Sequence, residues 1–131
     1  FGWRATPNRQ SAGLSVPRVA MSEKEYSDYI EDIRRSVTLI EEFTANMDFS
    51  SFSEDFKTQY AVVRCFEIMG EAAKRIPDEI RREHPSVPWK IMAGMRDRMI
   101  HGYDVIDVAI LWKTVKQDIP SLKICIREVA L

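Results

Sequence analysis

Residues 22–46, SEKEYSDYIEDIRRSVTLIEEFTAN, carry apolar side chains at Tyr26, Tyr29, Ile30, Ile33, Val37, Ile40 and Phe43, at spacings of three and four. That spacing lines one face of a helix of about 3.6 residues per turn; a strand, whose side chains alternate, would scatter it over both faces. Glu31, Asp32, Arg34, Arg35, Glu41 and Glu42 fall between the apolar positions and cover the other side. Ser22 and Glu25 stand in capping-box register, a hydroxyl for an orphan amide and a carboxylate to reach back. The helix is therefore expected to open at Ser22 and to end near Asn46.

Working outward, residues 48–53 read as a linker and residues 54–75 as a second long helix. Phe56, Tyr60, Val63, Phe66, Ile68 and Met69 supply its apolar face, and Gly70, Ala72 and Ala73 would let a neighbouring helix come close. Pro77 ends that helix and can start a short one over residues 77–83, because its missing N–H costs nothing in a first turn. His84-Pro85-Ser86-Val87-Pro88 is a rigid connection. A third helix follows from Trp89 to about Ile100, with Trp89, Met92, Met95 and Met99 inward and Gly102 as a natural stop. Residues 107–129 form the last helical region, with Val108, Leu111, Trp112, Val115, Ile119, Leu122 and Ile126 as its stripe. Pro120 interrupts it and predicts a kink or two abutting helices. The expected fold is all-α, an antiparallel bundle of four main helices plus a short one.

Composition agrees. A chain of 131 residues suffices for one domain, and five glycines with six prolines are too few for a many-stranded β fold. Net charge is −1, but Arg4, Arg9 and Arg18 stand without an acid in the first 20 residues, which leaves −4 for the remainder. A surface that gripped nucleic acid broadly would be strongly basic. Any action on RNA must therefore use a local group of cations, or one completed by a second subunit. Cys65 and Cys125 lie in apolar helical stretches without zinc-ligand spacing, and read as buried thiols of a protein in the reducing cytoplasm. No apolar run reaches the roughly 18 residues that span a bilayer. The opening FGWRATPNRQSAGLSVPRVA lacks Met, is rich in turn formers and has no signal-peptide core. It reads as an upstream extension or expression remnant, 1–20, outside a helical domain at 21–131.

The chemistry concentrates in VPWKIMAGMRDRMIHGYD, residues 87–104. On an unbroken helix Arg96 and Tyr103 would share a face, and His101 would stand about 140° from Arg96. The histidine joins the other two only if the helix breaks near Gly102, if Arg96 reaches round, or if a second subunit contributes. These residue types suit phosphodiester cleavage without a metal. A histidine can take a proton from the RNA 2′-hydroxyl or give one to the leaving oxygen. A guanidinium offers a permanently charged fork to phosphate oxygens as negative charge builds. One His and one Arg are half of an acid–base pair, which two chains across a symmetric interface would complete. Spacing alone leaves a plainer alternative open: Arg96 and Arg98 paired with surface acids, and His101 capping a helix end.

Arg96-Asp97-Arg98-Met99-Ile100-His101-Gly102-Tyr103 resembles the Arg–x4–His–x–Tyr motif of the HepT-like family, within the HEPN superfamily of helical domains that bind nucleotides and cleave RNA. The similarity extends to Val87-Pro88-Trp89-Lys90, to Tyr103-Asp104-Val105-Ile106-Asp107, to Trp112, to Asp118-Ile119-Pro120, to Glu67-Ile68-Met69-Gly70-Glu71-Ala72-Ala73-Lys74 and to Tyr29-Ile30-Glu31-Asp32-Ile33. The resemblance implies an RNA-cleaving toxin of a type II toxin–antitoxin pair. It would act as a homodimer without a cofactor, with Arg96 and His101 catalytic at the shared interface and Asp97 supporting them. It also implies a partner, a minimal nucleotidyltransferase antitoxin that attaches AMP to Tyr103 and so adds phosphate charge beside Arg96. Asp97 departs from the asparagine common at that position, and its carboxylate can orient Arg96 or partly neutralise it.

The remaining candidates have structural readings. His84 is a loop residue between Glu83 and Pro85, and Met92, Met95 and Met99 are packing residues. Trp89 and Trp112 could stack a base but sit at core spacing. Lys74, Arg75, Arg81 and Arg82 alternate with acids as a solvated face. The alternative function is a nucleotide-binding or partner-binding helical module without catalysis.

Overall fold

The structure, a computed structural model, describes residues 25–129, so Ser22 and the opening segment 1–20 lie outside the described residues. The first helix, α1, covers Tyr26–Phe43 and buries Ile30, Ile33, Val37 and Ile40, the centre of the expected stripe. Glu25, expected inside its first turn, is instead extended and immediately precedes it. The helix ends at Phe43, and Asn46 turns the chain with φ 64°, a conformation asparagine tolerates better than most residues.

The expected linker 48–53 is itself helical. α2 (Phe49–Glu54) is opened by a capping box in which Asp48 accepts from the Ser51 backbone N–H while the Ser51 hydroxyl takes the Asp48 N–H. These bonds hold the Asp48 carboxyl below its ordinary range. Phe52 is driven fully into the core, and the buried Gln59 donates to its carbonyl at 2.8 Å.

The second long helix, α3 (Phe56–Lys74), buries Val62, Val63, Cys65, Phe66, Met69, Gly70, Ala72 and Ala73. Its first turns correct the expectation: Phe56 and Tyr60 are exposed, and Gln59 and Val62 take the inner face instead. Burial pushes the Cys65 thiol pKa up, as suits an unreactive packing residue, whereas Cys125 is half-buried rather than buried. Pro77 precedes the short α4 (Asp78–Glu83). Arg81 belongs to no solvated face, because it donates to the carbonyls of Ile76 and Ala73 and so caps the end of α3.

α5 (Trp89–Met99) turns Trp89, Met92, Met95 and Met99 inward, as their spacing predicts. The Trp89 indole donates to the His84 carbonyl at 3.1 Å, so this ring is a packed anchor and not a free stacking platform. After Met99 the chain forms a feature that helical periodicity does not announce. Ile100–His101 (β1) pairs antiparallel with Val105–Ile106 (β2) across a tight turn at Gly102, whose φ is 72°. The last region contains α6 (Val108–Lys113), a π-helical segment Thr114–Asp118 and α7 (Ile119–Arg127). The π segment is the form the expected interruption takes. Pro120 cannot donate a backbone hydrogen bond, and the widened turn before it absorbs the missing bond. Trp112 is half-buried against Phe52, with ring centroids 4.9 Å apart and the Lys116 ammonium 5.2 Å from its own.

In this bundle α3 is central, packed between α1 and α5, and α7 closes against α1. Arg34, expected on the polar side of α1, ties that closure. Its Nη2 donates to the carbonyls of Ile126, Arg127 and Val129, at 3.0, 3.2 and 2.7 Å.

The α3–α5 contact rests on Gly70. A Cβ there would stand 3.2 Å from the Met92 carbonyl oxygen and 3.4 Å from that of Ala93. Gly94, inside α5, has nothing within 4 Å of the same position. The two glycines should therefore respond in opposite directions. Gly70→Val should cost about 1–3 kcal/mol by forcing the helices apart. Gly94→Ala should gain about 0.5–1 kcal/mol from helix propensity. Urea unfolding of the two variants checks both signs.

Candidate active site

Helix α5 brings Arg96 to the protein surface one turn before it ends, beside α3. Its Nε lies 3.5 Å from Glu67 Oε2 and its Nη1 3.3 Å from Asp97 Oδ1. The same Glu67 holds Arg64 Nη1 at 3.5 Å with its other oxygen. Arg64, Glu67, Gly70, Glu71, Lys74, Arg96 and Asp97 line a cleft of about 400 Å3 between the two helices. Lys74 and Arg75 are engaged by Glu71 at 3.3 and 3.0 Å. Cations therefore stand around the cleft with a carboxylate beside each, which fits a chain without a net basic surface.

His101 is supported differently. Leaving α5, the chain keeps one last helical bond, from the Ile100 N–H to the Arg96 carbonyl, and then becomes extended. The Asp107 N–H reaches back to the Met99 carbonyl at 2.7 Å and closes the base of the hairpin. Asp107 Oδ1 accepts from the Ile110 N–H and caps α6, while Oδ2 lies 3.8 Å from His101 Nε2. The imidazole is about two-thirds exposed, with this carboxylate at its Nε2 side. Tyr103, in the hairpin turn, is 89% exposed.

Of the three ways the residues could be united, the helix break does occur, at Ile100 and by a hairpin. The break alone does not join them. Among the described residues no hydrogen bond or ion pair links Arg96, His101 and Tyr103 to one another. Neither His101 nor Tyr103 lines the cleft at Arg96. Arg96 and Asp97 come together with Glu67 on one support; His101 comes together with Asp107 on another. Glu67 and Asp107 are the contacts that motif spacing misses. Asp107 carried a visible signal, a carboxylate directly before an apolar helical run. Glu67 fell within a stretch that resembles the family, but nothing local linked it to Arg96, since only the packing of α3 on α5 brings the two together. No described helix is long and apolar enough to cross a membrane.

Comparison with known proteins shows the family to which the chain is similar. The family described as Ribonuclease HepT-like matches residues 33–129. A Thermococcus cleftensis protein named Probable ribonuclease HepT is 54% identical over 101 residues, covering 77% of this chain and 92% of that protein. A Methanocaldococcus jannaschii protein named as a putative RNase is 41% identical over 103 residues, covering 79% of this chain and 85% of its own. Another from the same organism is 40% identical over 103 residues, covering 79% and 89%. No solved structure gives a significant match.

Asp107 serves two structures at once, and substitution should separate them. Asp107→Ala should lower stability by about 1 kcal/mol through loss of the α6 cap. Asp107→Asn, which can still cap, should restore most of it. Thermal and urea unfolding of the two variants against wild type measure the difference.

Proposed function

The chain belongs to the HepT-like ribonuclease family, within the HEPN superfamily, and from that membership we propose that it is a metal-independent endoribonuclease toxin acting through Arg96 and His101. The observation that supports the proposal is a cationic fork in an open cleft on α5 and, on the hairpin that directly follows α5, an accessible imidazole. The imidazole would take the 2′-hydroxyl proton, O2′ would attack phosphorus, and the bond to the 5′-oxygen would break as that oxygen gains a proton. The products are a 2′,3′-cyclic phosphate end and a 5′-hydroxyl end. Arg96 would stabilise the charge on the phosphate oxygens during the step, with Asp97 fixing its Nη1.

A single chain supplies one imidazole to a reaction that needs both a base and an acid. A homodimer supplies two, which is why the working form is proposed to be symmetric. Tyr103 fits the role of the neutralised residue because its side chain is almost wholly accessible. A minimal nucleotidyltransferase antitoxin would join the Tyr103 phenol oxygen to the α-phosphorus of ATP and release pyrophosphate. The added phosphate would stand near Arg96 and His101 and oppose an incoming RNA backbone. The RNA substrate implies a cytoplasmic location, where Cys65 and Cys125 stay reduced.

The second reading is a nucleotide- or partner-binding module without catalysis. It draws on the contact of Arg96 with two carboxylates, which lowers its pull on phosphate. Incubation of purified protein with RNA in EDTA separates the readings. Catalysis predicts cyclic-phosphate ends, and His101→Ala should reduce cleavage by about 10²–10⁴-fold while melting normally. Full-rate cleavage by His101→Ala, or loss of wild-type cleavage in EDTA, counts against the proposal. Mass measurement after co-expression with the nucleotidyltransferase should show AMP increments that vanish in Tyr103→Phe.

A further inference from the structure

Glu67 lies outside the Arg–x4–His–x–Tyr motif, yet its carboxylate forms an ion pair with the Nε side of Arg96. It stands on α3 one turn before Gly70, where the helix runs against the α5 backbone. Its two oxygens serve different guanidinium groups, Oε2 at 3.5 Å from Arg96 Nε and Oε1 at 3.5 Å from Arg64 Nη1. The side chain is one-third exposed, so solvent screens it less than an open surface pair. Asp97 accepts from Nη1, and among the described residues Arg96 Nη2 makes no hydrogen bond.

We infer that Glu67 is the positioning residue for Arg96: its carboxylate, anchored by Arg64, clamps the Nε edge and leaves the Nη2 end for an RNA phosphate. The inference rests on the ribonuclease reading for its effect on turnover, but the clamp itself does not. An arginine side chain has about 2 kcal/mol of rotamer entropy to lose when it is fixed. A guanidinium already held in place needs no reorganisation as charge develops on the phosphate. The same carboxylate also opposes phosphate binding, because it is a negative charge beside the cation. Glu67 should therefore act in opposite senses on ground-state binding and on turnover. A residue that merely supported the fold would not divide its effects in this way.

Glu67→Gln keeps the shape and removes the charge, and is tested in the full chain against RNA. The expected result is a kcat about tenfold lower with KM unchanged or reduced, and a melting temperature like that of wild type. In an Arg96→Lys background, which has no Nε edge to clamp, the same substitution should cost less than twofold. Independently of activity, the Arg96 Nε–H resonance, assigned by its loss in Arg96→Lys, should shift in Glu67→Gln. The inference is overturned by an unchanged kcat, by an equal loss in both backgrounds, or by an Arg96 Nε–H resonance that ignores Glu67→Gln. If wild type leaves RNA intact, the ribonuclease reading falls, and the resonance alone decides the clamp.

Discussion

The bundle depends on one place where helix backbones nearly touch. At Gly70 the absence of a side chain lets α3 lie against the carbonyls of Met92 and Ala93 on α5. Glycine inside a helix sacrifices about 1 kcal/mol relative to alanine. Here the loss is offset by tight packing, since Met69, Ala73, Met92, Met95 and Met99 are all buried in the common core. The contact also has a chemical consequence. It brings Glu67 on α3 to Arg96 on α5 and leaves the cleft beside them. Packing and chemistry are thus two results of one close approach.

The second constraint is the way α5 ends. Ile100 keeps a last helical bond to Arg96 and then turns extended, Gly102 reverses the chain, and Asp107 fastens the return to Met99. His101 therefore rides on a two-residue ladder and not on the helix that carries Arg96. The two side chains have separate supports, a rigid helix face and a short hairpin, each with its own carboxylate.

Electrostatics follow the same plan. The net charge of −1 gives no general attraction for a polyanion, and Arg64, Lys74, Arg75 and Arg96 each face a carboxylate. A site built this way offers little long-range pull on a polyanion.

The sequence by itself determined the helices with sustained periodicity. The stripe of α1, the small residues of α3, the inward face of Trp89, Met92, Met95 and Met99, and the disturbance near Pro120 were all legible, because each is a local consequence of side-chain spacing or a missing N–H. Arg96, Asp97, His101 and Tyr103 stood out only through their resemblance to a family motif, because spacing alone left open a plainer reading of the same residues. Tertiary structure decided what spacing cannot express. It swapped Phe56 and Tyr60 for Gln59 and Val62 on the inner face of α3, made a capped helix of the presumed linker at Asp48, and sent Arg34 to the carbonyl end of α7. It also folded the segment after α5 into a hairpin and gave Glu67 and Asp107 to Arg96 and His101. The physical reason is common to these cases. Periodicity records which face of an element avoids water, whereas the partner of a charged or polar group is fixed only when distant segments have packed.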